Sequence, residues 1–268
     1  MIETNKALVE EISFSKRRYF VKRDDLISKH FSGNKARKLL HFLSEDYAHI
    51  HRIISHGSVQ SNALYSLSVL AKKKGWHFEY YVDHIPQYLR DNPQGNYLGA
   101  LENNTHFILA NVSECDFHDT KTLFIPEGVA MPEAEHGIAL LAAEIKASFI
   151  GKKVDIFLPS GTGTTALYLQ KQFERLEPNL KRYPTILNTE KKYHFGKLYR
   201  EFFEIWIKLK QESGLDFDFL YDPKGWLTLQ EHDKHFYHDI LYIHQGGLLG
   251  NESMLKRYKR KFDADIGQ

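Results

Sequence analysis

This chain of 268 residues has a single cysteine, Cys115, so no disulfide can form within it, and a reducing compartment is expected. Nor does any apolar run approach the length needed to span a bilayer. The N-terminus lacks the positive-then-apolar pattern of a signal peptide, so a cytoplasmic protein without a membrane partner is expected. Charge of one sign is also missing. Thirty-six Lys and Arg face 34 Asp and Glu, and a net charge of +2 excludes the basic footprint of a nucleic-acid binder. There is no internal repeat and no low-complexity segment. What remains is ordinary globular composition, 42% apolar and 26% charged, at a length that can bury a sizeable core in one large or two smaller lobes.

Fifteen histidines invite a metal hypothesis, but no His-Glu-x-x-His pair occurs. The densest group, His232, His235 and His238 near Asp233 and Asp239, reads as a solvated polar turn rather than a metal site.

Patterning alternates strands and helices. Strands are expected at Tyr19–Val21, Arg52–Ser55, His77–Val82, Thr105–Ala110, Thr122–Ile125, Asp155–Leu158, Phe217–Tyr221 and Ile240–His244. Ala36, Leu39, Leu40, Leu43 and Tyr47 fall on one helical face. Further helices are expected from Ser61 to a basic stop at Lys72-Lys73-Lys74-Gly75, over 133–150, 166–176 and 198–210, and in a basic closing helix over 252–262. Such alternation predicts an α/β protein with mostly parallel sheets covered by helices. Ligands then bind at the carboxyl ends of the strands, where the glycine-rich turns lie.

Three of those turns stand out. Gly57-Ser58-Val59-Gln60-Ser61-Asn62 combines a polar loop with an N-cap. Pro159-Ser160-Gly161-Thr162-Gly163-Thr164-Thr165 joins an apolar strand to a helix and offers backbone N–H groups to an anion. It is neither a P-loop, lacking the Gly-Lys-Ser/Thr ending, nor a dinucleotide fingerprint, lacking the third glycine. The last, His244-Gln245-Gly246-Gly247, ends a strand. Lys35 sits in the first turn of its helix, behind Ser32 or Asn34 as cap, where the helix dipole disfavours a cation. A lysine there is either a solvated surface group or an amine of lowered pKa able to form a Schiff base with an aldehyde cofactor.

Lys22-Arg23-Asp24-Asp25-Leu26 followed by Ser32-Gly33-Asn34-Lys35-Ala36-Arg37-Lys38-Leu39 resembles the opening of the 1-aminocyclopropane-1-carboxylate (ACC) deaminase/D-cysteine desulfhydrase family. These are enzymes dependent on pyridoxal 5′-phosphate (PLP) and of fold type II, tryptophan synthase β-like. The resemblance implies two lobes, residues 1–44 with 131–268 forming the larger and 45–130 a small inserted one. It implies PLP carried on Lys35, with phosphate held by Ser160, Gly161, Thr162, Gly163, Thr164 and Thr165. The 57–62 turn is similar to the family's Gly-Gly-x-Gln-Ser-Asn segment; Asn62 would then bind the cofactor's phenolic oxygen, and Ser61 and Gln60 the substrate. His244-Gln245-Gly246-Gly247 resembles the turn that closes over the pyridine ring.

Residues 214–224 lie without gaps on the family's Asp-Pro-x-Tyr-(Glu/Thr)-Gly-Lys segment, with Asp218 on its aspartate, Tyr221 on its tyrosine and Asp222 at the position that faces the ring nitrogen. Tyr221 would serve catalysis, and an acid at 222 leans towards deaminase chemistry. Tyr193 and Tyr199 lie in a second tyrosine-bearing segment, one of them facing substrate. The implied activity releases a 2-oxo acid and ammonia from a small amino acid, by ring opening of ACC or by β-elimination from a D-amino acid such as D-cysteine. A homodimer is implied as well. Departures are plain: Ser32 for the first glycine, Ala63 for glutamine or histidine, Phe219 and Pro223 in the tyrosine motif, and Glu127-Gly128-Val129-Ala130-Met131-Pro132 for a Gly-Gly-Ser-Asn-Pro-like loop. A PLP protein without turnover, or a nucleotide- or sugar-phosphate-binding protein in which Lys35 is incidental, are the rival readings.

Overall fold

The computed structural model describes residues 2–31, 33–114, 119–176 and 183–262. In chain order the elements are β1 (Val9–Phe14), β2 (Arg17–Arg23), α1 (Gly33–Ser44), β3 (Arg52–His56), α2 (Asn62–Lys74), β4 (His77–Val82), α3 (Gln87–Asp91), α4 (Gly95–Glu102), β5 (His106–Leu109) and β6 (Thr122–Phe124). They continue with α5 (Ala134–Ser148), β7 (Val154–Phe157), α6 (Thr164–Leu176), α7 (Arg200–Ser213), α8 (Asp222–Glu231), β8 (Asp239–His244) and α9 (Asn251–Phe262).

Two four-stranded sheets organise these elements, with orders β1-β2-β8-β7 and β5-β4-β3-β6. Every pairing is parallel except the β1–β2 hairpin. Strands of the second sheet all come from residues 52–124, whereas the first draws on both sides of that stretch. Parallel strands need crossover helices on the sheet faces, so their side chains are covered on both sides. β8 shows it: Ile240, Leu241, Tyr242 and Ile243 are all buried, an uninterrupted apolar run.

Local chemistry accounts for most boundaries. The Ser61 hydroxyl caps α2 by accepting from the Ala63 N–H at 3.1 Å, and Gly75 closes the helix in the left-handed region at φ 71°. α1 buries Ala36, Leu39 and Phe42 and packs along α5, where Gly137 lies against the Arg37 carbonyl.

Two expectations need correction, and two elements were not foreseen. Residues 217–221 form no strand. The Asp218 carboxylate accepts from the Leu220 and Tyr221 N–H groups (2.8 and 2.7 Å), Asp222 takes the Asp218 N–H and Asn251 that of Phe219. Side chains thus capture the backbone donors that a ladder would need. α8 follows at once, with Pro223 in its first turn, a helix-start signal that the strand reading overrode. Residues 95–102 are helical, an element that the sequence pattern did not announce. The β1–β2 hairpin has no counterpart in the sequence reading, because its two-residue turn, Ser15-Lys16, holds positive φ (50° and 64°) without the Asn-Gly or Asp-Gly signature. Finally, α1 opens at Gly33, so Asn34 lies inside the first turn and is no cap, while Ser32, the other candidate, lies outside the described residues.

No helix among the described residues is long and apolar enough to cross a membrane, and none of their His, Cys, Asp and Glu side chains form a group of three that could hold a metal ion.

Candidate active site

The turns after β3, β6, β7 and β8 meet the N-terminus of α1. Asn34 is the link to β8: its N–H donates to the Gln245 carbonyl (3.0 Å) and its side-chain amide to Gln245 Oε1 (2.6 Å). Gln245 reaches on to the Pro159 carbonyl, at the start of the threonine-rich turn. Gly33 fits beneath, where an added Cβ would fall 2.5 Å from the Asp24 carbonyl oxygen. Asn34 also accepts from Lys35 Nζ at 3.0 Å, which fixes the amine at the edge of the cleft.

Burial is the larger influence on that amine, lowering it to about 8 although Asp218 and Glu127 favour its charged form. Beside it, Lys38 is 2% exposed and donates to the Gly128 carbonyl at 2.8 Å. Burial and the neighbouring Lys35 charge lower Lys38 to about 6, so it is mostly neutral at pH 7. Gly128 in turn touches the threonine-rich turn: a Cβ there would stand 2.7 Å from Thr162 Oγ1. Lys35, Lys38, Gly128 and Thr162 thus form a continuous wall.

That turn leads into α6. Gly163 takes φ 79°, Ser160, Gly161 and Thr162 are exposed, and Thr164 and Thr165 are buried in the first helical turn. The Thr162 and Thr164 hydroxyls lie 2.8 Å apart. Unpaired N–H groups at a helix start, two hydroxyls and a left-handed glycine make an anion cradle. Tyr221 closes it, with its ring and hydroxyl 3.5 Å from the Cβ position of Gly161. Burial, then Asp218 and Glu127, raise this phenol to about 12, so it holds its proton through the physiological range. The ring of Phe195 lies 5.4 Å away.

On the opposite side stand Ser61 and Asn62. Asn62 accepts from Asn96 at 2.9 Å and faces Asp218, and Gly247 (φ 93°) comes so close that a Cβ would sit 2.3 Å from the Asn62 amide nitrogen. Asp218 is 3% exposed, and burial together with the Asp222 charge pushes it up to about 8. Asp222 spends both oxygens internally, on the Tyr242 hydroxyl (2.5 Å) and the Asp218 N–H (2.8 Å), so it acts on the site through Asp218.

Lys35, Ser61, Asn62, Tyr221 and the 160–165 turn are therefore brought together. Gln60, Tyr193 and Tyr199 are engaged elsewhere. The Gln60 side chain ties Tyr88 to Arg257 and its carbonyl accepts from Asn96. Tyr193 donates to Glu201, and Tyr199 accepts from the His194 N–H while the two rings pack edge to face at 4.8 Å. Sequence reasoning gave no role to Lys38, Tyr80, Glu127, Phe195 or Gln245. Lys38, Glu127, Phe195 and Gln245 lie in segments it singled out; Tyr80 joins them only through the fold.

The depressed Lys35 amine has a consequence for stability. Its folded pKa of about 8 lies below the ordinary lysine value of 10.5, so the folded state binds fewer protons between those values and stability rises with pH there. In ligand-free protein, Lys35→Met should be about 1–3 kcal/mol more stable than wild type at pH 7, the gain fading towards pH ~10.5. Urea unfolding at both pH values checks this; an equal difference at each would contradict it.

No protein-family model and no curated sequence matches the chain significantly. Its fold, in contrast, has many solved counterparts. An ACC deaminase homologue superposes with a TM-score of 0.75 at 21% identity, covering 95% of this chain and 93% of that one. A hydrogen sulfide-producing enzyme from Fusobacterium nucleatum scores 0.64 at 13% identity (90% and 94% covered), and a fungal L-serine ammonia-lyase from Rhizomucor miehei 0.63 at 12% (96% and 98%). The fold is the one these structures share, that of the fold type II PLP enzymes, and it agrees with the expected α/β class. At these identities the likeness establishes the fold.

Proposed function

We propose that the protein is a PLP-dependent deaminase or lyase that converts a small amino acid to a 2-oxo acid and ammonia. The observation that carries this reading is the amine of Lys35, lowered to about 8 and joined through Lys38 and Gly128 to the Thr162 turn. The residues fit the cofactor: an amine near neutrality for the aldehyde, and an anion cradle at the start of α6 for the phosphate. When bound, PLP supplies an electron sink for charge developing beside the substrate nitrogen.

The chain's own groups would then act as follows. Residues 160–165 anchor the phosphate and Asn62 orients the ring. Lys35 Nζ accepts and returns a proton near neutral pH. Tyr221, protonated at working pH, donates from beside the phosphate cradle. Ser61, at the N-terminus of α2, receives the substrate carboxylate, which the helix dipole favours. The larger lobe, residues 1–44 with 131–268, would hold the cofactor, and 45–130 would close over substrate.

Absorbance spectra of protein incubated with PLP test the cofactor. A visible band that borohydride removes, and that is absent in Lys35→Ala, is the expected result; a band unchanged in the variant refutes the assignment. Release of 2-oxobutyrate from ACC or of pyruvate from D-cysteine then separates ring opening from β-elimination.

A further inference from the structure

We propose that Glu127 makes this site selective for amino acids with a second ammonium group on the side chain. This rests on the cofactor and reaction class proposed above and narrows the substrate. Glu127 opens the turn after β6, and its exposed carboxylate oxygen lies 3.7 Å from the Cβ position of Gly57, over the loop that leads to Ser61 and Asn62. Its backbone is held on the C-terminal side. Gly128 is pressed against Thr162 and accepts from Lys38, while the buried Val129 sits at φ 55°, a left-handed conformation that a β-branched residue adopts only under constraint.

The carboxylate is within Coulombic reach of Lys35, Tyr80 and Tyr221, one from each neighbouring wall. Among the described residues it makes no hydrogen bond or ion pair, so its charge beside the Gly57 turn is uncommitted. Of the cations around it, Lys38 is mostly neutral at pH 7 and Lys35 is the group that the substrate's own amine would engage. A neutral side chain leaves Glu127 without a counter-charge, whereas an ammonium on the β- or γ-carbon supplies one.

The test titrates PLP-loaded protein with 2,3-diaminopropionate and 2,4-diaminobutyrate against serine and 2-aminobutyrate of matching length, in both enantiomers, following the visible band. For one enantiomer the diamino acid should bind about tenfold tighter than its neutral partner. Glu127→Gln should bring that ratio to near one. General damage to the fold would weaken both ligands together, so the ratio is the readout. A wild-type ratio near one, or a ratio that survives in Glu127→Gln, overturns the proposal and leaves the cofactor assignment standing. Absence of a visible band in wild type overturns both.

Discussion

Arg37→Met is expected to destabilise the protein by about 3–5 kcal/mol, because it removes one member of a buried charge network and leaves the others uncompensated. Arg37 is 1% exposed. It donates to both oxygens of Asp24 (3.1 and 2.7 Å) and to both of Glu144 (2.7 Å each), and Lys22 reaches Glu144 at 2.8 Å. Burial raises Asp24 even with Arg37 beside it. Glu144 is also penalised by burial, but hydrogen bonds from Arg37 and Lys22 outweigh the penalty and hold it below the usual range. Without the guanidinium, Asp24 prefers its proton in the folded state. The folded variant then binds more protons than its unfolded chain, so its deficit relative to wild type shrinks as pH falls towards the carboxylate range. For a chain of this size the melting temperature should drop by roughly 10 °C at pH 7. Calorimetry at pH 7 and at pH 5 checks both; a loss under 1 kcal/mol would mean that the network is not what joins α1 to α5.

Gly137→Ala is expected to cost about as much, for a steric reason. The new Cβ would lie 1.9 Å from the Arg37 carbonyl oxygen and 2.7 Å from its carbon, both backbone atoms inside α1. Neither can rotate aside, so the helices must separate. Overpacking costs about 1–3 kcal/mol where side chains absorb it and more where backbone must move. The intrinsic helix gain of alanine over glycine, about 1 kcal/mol, offsets only part of this. Separation also moves Arg37 off its carboxylates and shifts Lys35, two residues earlier in the same helix. Soluble variant should unfold at lower denaturant and, if PLP is carried as proposed, show a weaker visible band than wild type. Wild-type stability with full cofactor retention would contradict the close approach.

Much of the architecture is legible because parallel sheets write themselves as apolar runs bounded by glycine. β3, β4 and β8 fall within a residue of their sequence-derived limits, and α2 stops at its basic residues and Gly75 as expected. The failures share a cause. At 217–221 and in the β1–β2 turn, hydrogen bonds from side chains or a positive φ without glycine replace the local signal, and neither shows in a hydrophobic pattern.

For the site, residue type and spacing marked Lys35, the 57–62 turn and the threonine-rich turn as candidates but left a bland reading open for each, and the motif resemblance chose among the readings. Which side chains share that cleft is a matter of long-range packing. Gln245 bonding Asn34, Gly128 touching Thr162, and Glu127 rather than Tyr193 or Tyr199 standing near Lys35 join segments 34 to 211 residues apart. Burial, which shifts the lysines and carboxyls from their ordinary values, exists only once those segments have closed around them.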